Sequence, residues 1–180
     1  RKFNKQIVSY MLDGSAKIQV ENYPGQGLRN HRNTQKIDLT AAGIDLTTAT
    51  GEELLAFFGQ NGAFGQVARA NRVAAYDVLW VSYEVWANMA RPYLINLGAS
   101  NAAITGTVMQ AIMPFIPARE IRPTYALSGN EFLGYVRRQD VVSPLVGMAT
   151  GVVPLPRPMP QSNYNFQIMA AMGLQVKADD

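Results

Sequence analysis

FLGYVRRQDVVSPLVG, Phe132 to Gly147, runs an apolar strand directly into two adjacent arginines. A strand sends alternate side chains to opposite faces, so Phe132, Gly134 and Val136 share one face while Leu133 and Tyr135 share the other. Apolar residues on both faces predict an inner strand of a covered sheet, with Arg137 and Arg138 standing where it leaves the core. Asp140, just beyond the pair, is a carboxylate either arginine can meet within the same chain.

The segments upstream supply the partners for such a strand. YDVLWVS (Tyr76–Ser82) and REIRPTYAL (Arg119–Leu127) read as strands. Ser82 stands where it caps a helix through YEVWANMA, Glu84 complements the helix dipole, and Arg91-Pro92 ends the element. Thr105 is the predicted cap of GTVMQAIMPF, whose Val108, Met109, Ile112 and Met113 form one apolar stripe. In TGEELLAFFGQ, Thr50 precedes Glu53 by the spacing of a capping box, so a helix starts at Gly51 with Leu54, Leu55, Phe57 and Phe58 toward the core. Gly59 and Gly62 interrupt it before AFGQVARANRV, which gives one interrupted helix or two abutting ones. Strands and helices in this order predict an α/β or α+β layer arrangement.

The two ends read differently. YMLDGSAKIQVENY alternates around Asp13-Gly14, a dipeptide suited to a tight hairpin turn, and PGQGLRNHRNTQ reads as a long loop. VVPLPRPMP places proline at 154, 156, 158 and 160. In an extended chain these prolines strip donors from one edge, which suits a stiff crossover or a protected edge strand. NYNFQIMAAMGLQVKADD is a final strand-like segment with a break at Gly173.

The 180 residues are 48% hydrophobic and 16% charged, below the roughly 25% charge of an average soluble domain. That shortage predicts a surface partly covered by copies of the same chain. The absence of cysteine removes disulfides, thiol nucleophiles and cysteine metal sites. No apolar run reaches the length of a membrane helix, and no signal peptide is present. The opening RKFNKQIV lacks an initiator methionine and reads as a processed or proteolysed product. The first forty residues hold Arg1 and the candidate DNA-facing set Lys2, Lys5, Lys17, Arg29, Arg32 and Lys36 against three acids. Such a face can lie on phosphates without reading sequence, or it can simply be solvated.

Catalytic spacing is sparse. His31 is the only histidine and lies in a polar loop. Ser82 lacks a nucleophile elbow, and a His31, Asp77 and Ser82 triad has no supporting spacing. GQGLRN lacks the third glycine of a dinucleotide loop, and Glu52-Glu53 is accounted for by capping. Trp80, Trp86, Tyr83 and Tyr93 read as core packing ahead of stacking on single-stranded bases, and the methionines Met109, Met113, Met169 and Met172 as gap-filling core or interface side chains. No catalytic, cofactor-binding or metal-ligating residue is assigned.

The succession YDVLWVSYEVWANMARPY, TVMQAIMPFIP, NEFLGYVRRQDVVSPLVG, VVPLPRPMP and FQIMAAMGLQVKADD resembles the major capsid proteins of tailed bacteriophages and prophages, the Hong Kong 97-type fold shared with encapsulin shells. The resemblance covers about residues 50 to 180 and implies an α+β chain with an axial domain, 74–150, inserted in a discontinuous peripheral domain, 1–73 and 151–180. It implies a long spine helix over 51–73, interrupted here by glycines, an arm or hairpin at 7–23, and a proline segment that crosses back. The family's N-terminal arm or scaffolding segment falls before Arg1. By the same resemblance the protein is a virion shell subunit with no turnover and no cofactor, assembled in the bacterial host cytoplasm. Its partners are copies of itself in pentamers and hexamers, a scaffolding or portal protein, and packaged DNA through non-specific contacts at most, with no membrane. Arg137 and Arg138, with Asp140, then become a subunit-interface candidate at an axial rim. An encapsulin-type nanocompartment is the alternative; a hydrolase built on Ser82 and a DNA-binding module remain behind it.

Overall fold

A computed structural model describes residues 2–20, 23–96, 102–139, 141–159, 161 and 163–176. The chain is α+β. Its first half runs α1 (Lys2–Asp13), β1 (Gly14–Val20), β2 (Tyr23–Gln26), α2 (Gly51–Phe58), α3 (Ala63–Ala70), β3 (Val78–Val81) and α4 (Tyr83–Ala90). The remainder runs β4 (Pro92–Asn96), β5 (Ala102–Thr107), α5 (Val108–Ile112), β6 (Ile121–Pro123), β7 (Phe132–Tyr135), β8 (Val142–Pro154) and β9 (Phe166–Val176). Two compact units result, one from residues 35–137 and one from 1–34 with 138–180. These divisions fall away from the expected 73/74 and 150/151. The reason is packing: α2 and α3 bury their phenylalanines on the sheet of the 35–137 unit, while β8 pairs along its length with β9.

The 35–137 unit is organised by β3, the centre of a sheet ordered β6-β3-β7, parallel to β6 and antiparallel to β7. Val78, Leu79 and Val81 are fully buried. The expected inner position of Phe132–Tyr135 is therefore corrected: β7 is an edge strand. One of its faces does meet the core, because Phe132 packs edge-to-face with Phe57, Phe58 and Phe64 at centroid separations of 5.3 to 5.7 Å. Gly134 permits this closeness, since a Cβ there would lie 3.1 Å from the Phe64 ring.

Local signals explain the helices. Thr50 N–H donates to Glu53 Oε2 at 2.7 Å and Glu53 N–H to Thr50 Oγ1 at 3.3 Å, the capping box in full. Hydrogen bonds from the Thr50 backbone N–H and then from its hydroxyl hold the Glu53 carboxyl below its usual range. The chain takes the two-helix option. α2 stops at Gly59, and the turn into α3 is so tight that a Cβ at Gly62 would collide with the Ala56 and Phe57 carbonyl oxygens. Residues 51–73 thus form no continuous spine helix. The predicted Thr105 cap is also corrected, because Thr107 and Gln110 make the capping box of α5 while Thr105 lies in β5.

The segment between residues 44 and 49 has little regular structure and is held by side chains. Asn88 Nδ2 donates to the carbonyls of Leu46 and Ala49 at 2.8 and 2.9 Å. Asn130 bridges the Leu46 N–H and the Ile44 carbonyl. These bonds replace the ladder that the loop lacks.

The N-terminal hairpin expected around Asp13-Gly14 is corrected. Residues 2–13 are helical, Gly14 turns the chain with φ +73, and the hairpin forms one element later between β1 and β2. The helical period of Ile7, Tyr10 and Met11, all half-buried, outweighs the turn dipeptide. The loop then caps the helix: Leu28 and Arg29 N–H donate to the Met11 and Leu12 carbonyls, and Asn30 Nδ2 to that of Asp13.

Both tryptophans lie in the 35–137 unit, so their fluorescence follows its unfolding alone. In urea, Phe58→Ala is expected to lower that unit's stability by about 3–5 kcal/mol. Asn88→Ala is expected to cost about 1–3 kcal/mol through the unpaired Leu46 carbonyl, since the Ala49 carbonyl keeps its bond from Arg91 Nη2. An unchanged midpoint in either variant contradicts this account of the core.

Candidate assembly surface

Between residues 141 and 176 the only charged side chain is Arg157. This segment forms the β8–β9 ribbon, a two-stranded sheet with no third strand among the described residues. Pairing runs from Val142 opposite Val176 to Pro154 opposite Phe166, with register shifts between Val146 and Met148 and between Met148 and Gly151. Each shift gives β8 one residue more than β9, which resets its alternation.

Opposed residues share a face, so the register sorts the side chains. One face carries Val142, Pro144, Val146, Val152 and Pro154 of β8 against Phe166, Ile168, Ala170, Met172, Leu174 and Val176 of β9. Every paired residue on it is apolar. The other face mixes Leu145, Met148, Val153 and Met169 with Ser143, Gln167 and Gln175. Val142 is buried at the base, but toward the tip Val146, Val152, Phe166 and Ile168 are 58, 63, 62 and 51% exposed. Covering four such side chains gains on the order of 1 kcal/mol each.

The proline segment is corrected at the same time. It makes no crossing between units: Pro154 closes β8, Leu155 N–H donates to the Asn165 carbonyl at 2.9 Å, and residues 155–159 form the ribbon tip. There the Arg157 guanidinium lies 4.1 Å from the Tyr164 ring centroid. Gly173 sits inside β9 opposite Leu145, so it breaks nothing.

The other candidates are dispersed. Arg137 is exposed, and its backbone N–H donates to Asp77 Oδ2 at 2.8 Å where β7 ends. Asp77 is also paired with Arg119 at 3.2 Å. Arg138, likewise exposed, starts the second segment of the other unit, and its carbonyl accepts from Val141 and Val142. Asp140 lies outside the described residues. Of the basic set, Lys5 is exposed on α1, Arg32 and Lys36 are exposed, and Arg29 is half-buried against Asp13 at 3.4 Å. Lys2 lies in α1 and Lys17 in β1, while Arg1 is outside the described residues. Lys36 belongs to the 35–137 unit and the others to the remaining unit.

Ser82 is fully buried, its Oγ accepting the Val85 N–H at 3.2 Å and donating to the Gly129 carbonyl. That is the geometry of a helix cap tied to a loop. His31 Nδ1 accepts from Asn33 N–H at 3.2 Å, and partial burial followed by the Arg32 charge lowers its pKa. Tyr83, expected in the core, is instead exposed and stacked on Tyr125 with centroids 4.0 Å apart. The hydrogen bond with Tyr125 pushes the Tyr83 phenol up. Among the described residues no group of three or more His, Asp or Glu could hold a metal ion, and no helix is long and apolar enough to cross a membrane.

The fold and its surface define an α+β chain with one unit at 35–137 and a second unit bearing a ribbon whose apolar face is exposed toward its tip. Across residues 1–180 the chain belongs to a family described as a family of unknown function, DUF6260. It matches none of the curated proteins.

Ser82→Ala is expected to lower stability by about 1–3 kcal/mol, from the lost cap and the unpaired Gly129 carbonyl, again read from tryptophan fluorescence. A variant as stable as the parent contradicts the structural role of the hydroxyl.

Proposed function

We propose that this protein is a structural shell subunit, a phage or prophage major capsid protein of the Hong Kong 97 type whose copies form pentamers and hexamers around the genome. The observation that carries the proposal is the apolar face of the β8–β9 ribbon. An isolated two-stranded sheet is marginal in water, and one with a wholly apolar face needs a covering surface. A shell supplies that cover at every position, because each copy both covers a neighbour and is covered by one.

In this account the 35–137 unit takes the axial role and the 1–34 and 138–180 unit the peripheral one, with the ribbon as its extended arm. The account does not draw on a spine helix, since α2 and α3 are separate elements. Arg137 and Arg138 stand exposed where the chain passes between the units, and carboxylates of a neighbouring copy are their expected partners. The low charge of the chain serves the same end, because a surface destined for burial against copies carries few ions.

A double substitution, Val152→Lys with Ile168→Lys, puts two charges on the covered face. It is expected to raise the concentration needed for assembly by at least about tenfold, since an unpaired buried charge costs several kcal/mol. Gln167→Lys, on the mixed face, is expected to assemble like the parent. Sedimentation velocity across a dilution series measures both, and equal assembly of the double variant and the parent contradicts the proposal.

A further inference from the structure

The two edges of the ribbon are built differently. Along an antiparallel strand, residues that bond the partner alternate with residues whose N–H and C=O point outward. Leu155 N–H donates to the Asn165 carbonyl, so Asn165 faces inward, and Gln167, Met169, Ala171, Gly173 and Gln175 follow it. The outward set on β9 is then Phe166, Ile168, Ala170, Met172 and Leu174. Val176, next in that series, agrees: its carbonyl accepts from Asn33 Nδ2 at 3.3 Å.

On β8 the register makes Pro144 and Pro154 outward residues, so two donors are missing from that edge. Both register shifts also belong to β8 and break the rhythm of its outer groups. By contrast, β9 has no proline, no charged side chain and no extra residue from Phe166 to Val176. Natural sheets close an exposed edge by such devices. Here β8 is closed and β9 is open.

We infer that β9 is a strand-addition edge whose occupant is β9 of a second copy, joined antiparallel about a two-fold axis. The inference rests on the self-assembly reading and names its contact. A strand paired with itself about an axis normal to the sheet matches residues whose numbers sum to an even value. The outward residues are all even-numbered, so they meet one another and exchange their free hydrogen bonds. The same parity keeps like faces together, and the apolar face continues from one ribbon onto the next. An identical strand meets no like-charge pair, because β9 carries none. The product is a four-stranded sheet ordered β8-β9-β9-β8.

The protein has no native cysteine, so single spin labels are introduced cleanly at Ile168→Cys, Ala170→Cys, Met172→Cys and Leu174→Cys. Distances between labels on two copies are read by pulsed electron paramagnetic resonance. The expected profile is a V, with one shortest distance and an increase of about 7 Å per residue on either side, twice the rise of a strand. Ala170→Pro removes an outward donor without touching a β8 bond and is expected to abolish the short distances. Oligomers that lack the V overturn the strand pairing and leave the assembly reading intact. Oligomers that keep their short distances in Ala170→Pro also overturn the pairing. A chain that stays monomeric alone and alongside its neighbouring gene products overturns both.

Discussion

Two strands have two faces and no interior, and that limit governs the β8–β9 ribbon. Its register places eleven apolar residues on one face, Val142 to Pro154 on β8 and Phe166 to Val176 on β9, with a bulge at Ala149-Thr150 opposite Ala170. Rearrangement within the pair cannot hide them, because a slip by one residue only exchanges the faces. Cover has to come from elsewhere. The base of the ribbon is better covered, with Val142 buried and Met172, Leu174 and Val176 half-buried. The outer half finds little cover among the described residues, and the proposed assembly rests on that imbalance.

The 35–137 unit has settled the same problem internally. Its helices close over β3, its phenylalanines pack edge-to-face, and its buried polar groups Ser82 and Asn88 are hydrogen-bonded to neighbouring backbone. No buried side-chain nitrogen or oxygen among the described residues is left without a partner. The proposed assembly draws on the contrast between that packed core and the exposed outer half of the ribbon.

Legibility in the sequence followed the range of the interactions. The Thr50–Glu53 capping box, the Ser82 cap and the buried strand at Val78–Val81 were readable because each depends on a few adjacent residues. α1 was missed because Asp13-Gly14 is a strong turn signal, whereas the weaker helical period of Ile7, Tyr10 and Met11 depends on contacts made after folding. Thr107 was passed over for Thr105 although Gln110 marks the true capping box. Prolines 154, 156, 158 and 160 were expected to close one edge of an extended strand, but among the described ones only Pro154 lies in a strand, where it points outward from β8. Their place at a hairpin tip went unread, since rigid proline segments serve crossings and turns alike. The missed clue was the near absence of charge from 141 to 176, broken only by Arg157. Two charge-free apolar runs flanking a proline and asparagine segment describe a hairpin with an apolar face.

The most direct measurement is the native mass and negative-stain appearance of the protein, expressed alone and with its neighbouring gene products. The account predicts closed polyhedral particles or rings of five and six subunits. DNA inside them indicates a capsid, and protein cargo indicates the encapsulin alternative. A discrete monomer under both conditions contradicts the account, because the apolar ribbon then persists uncovered.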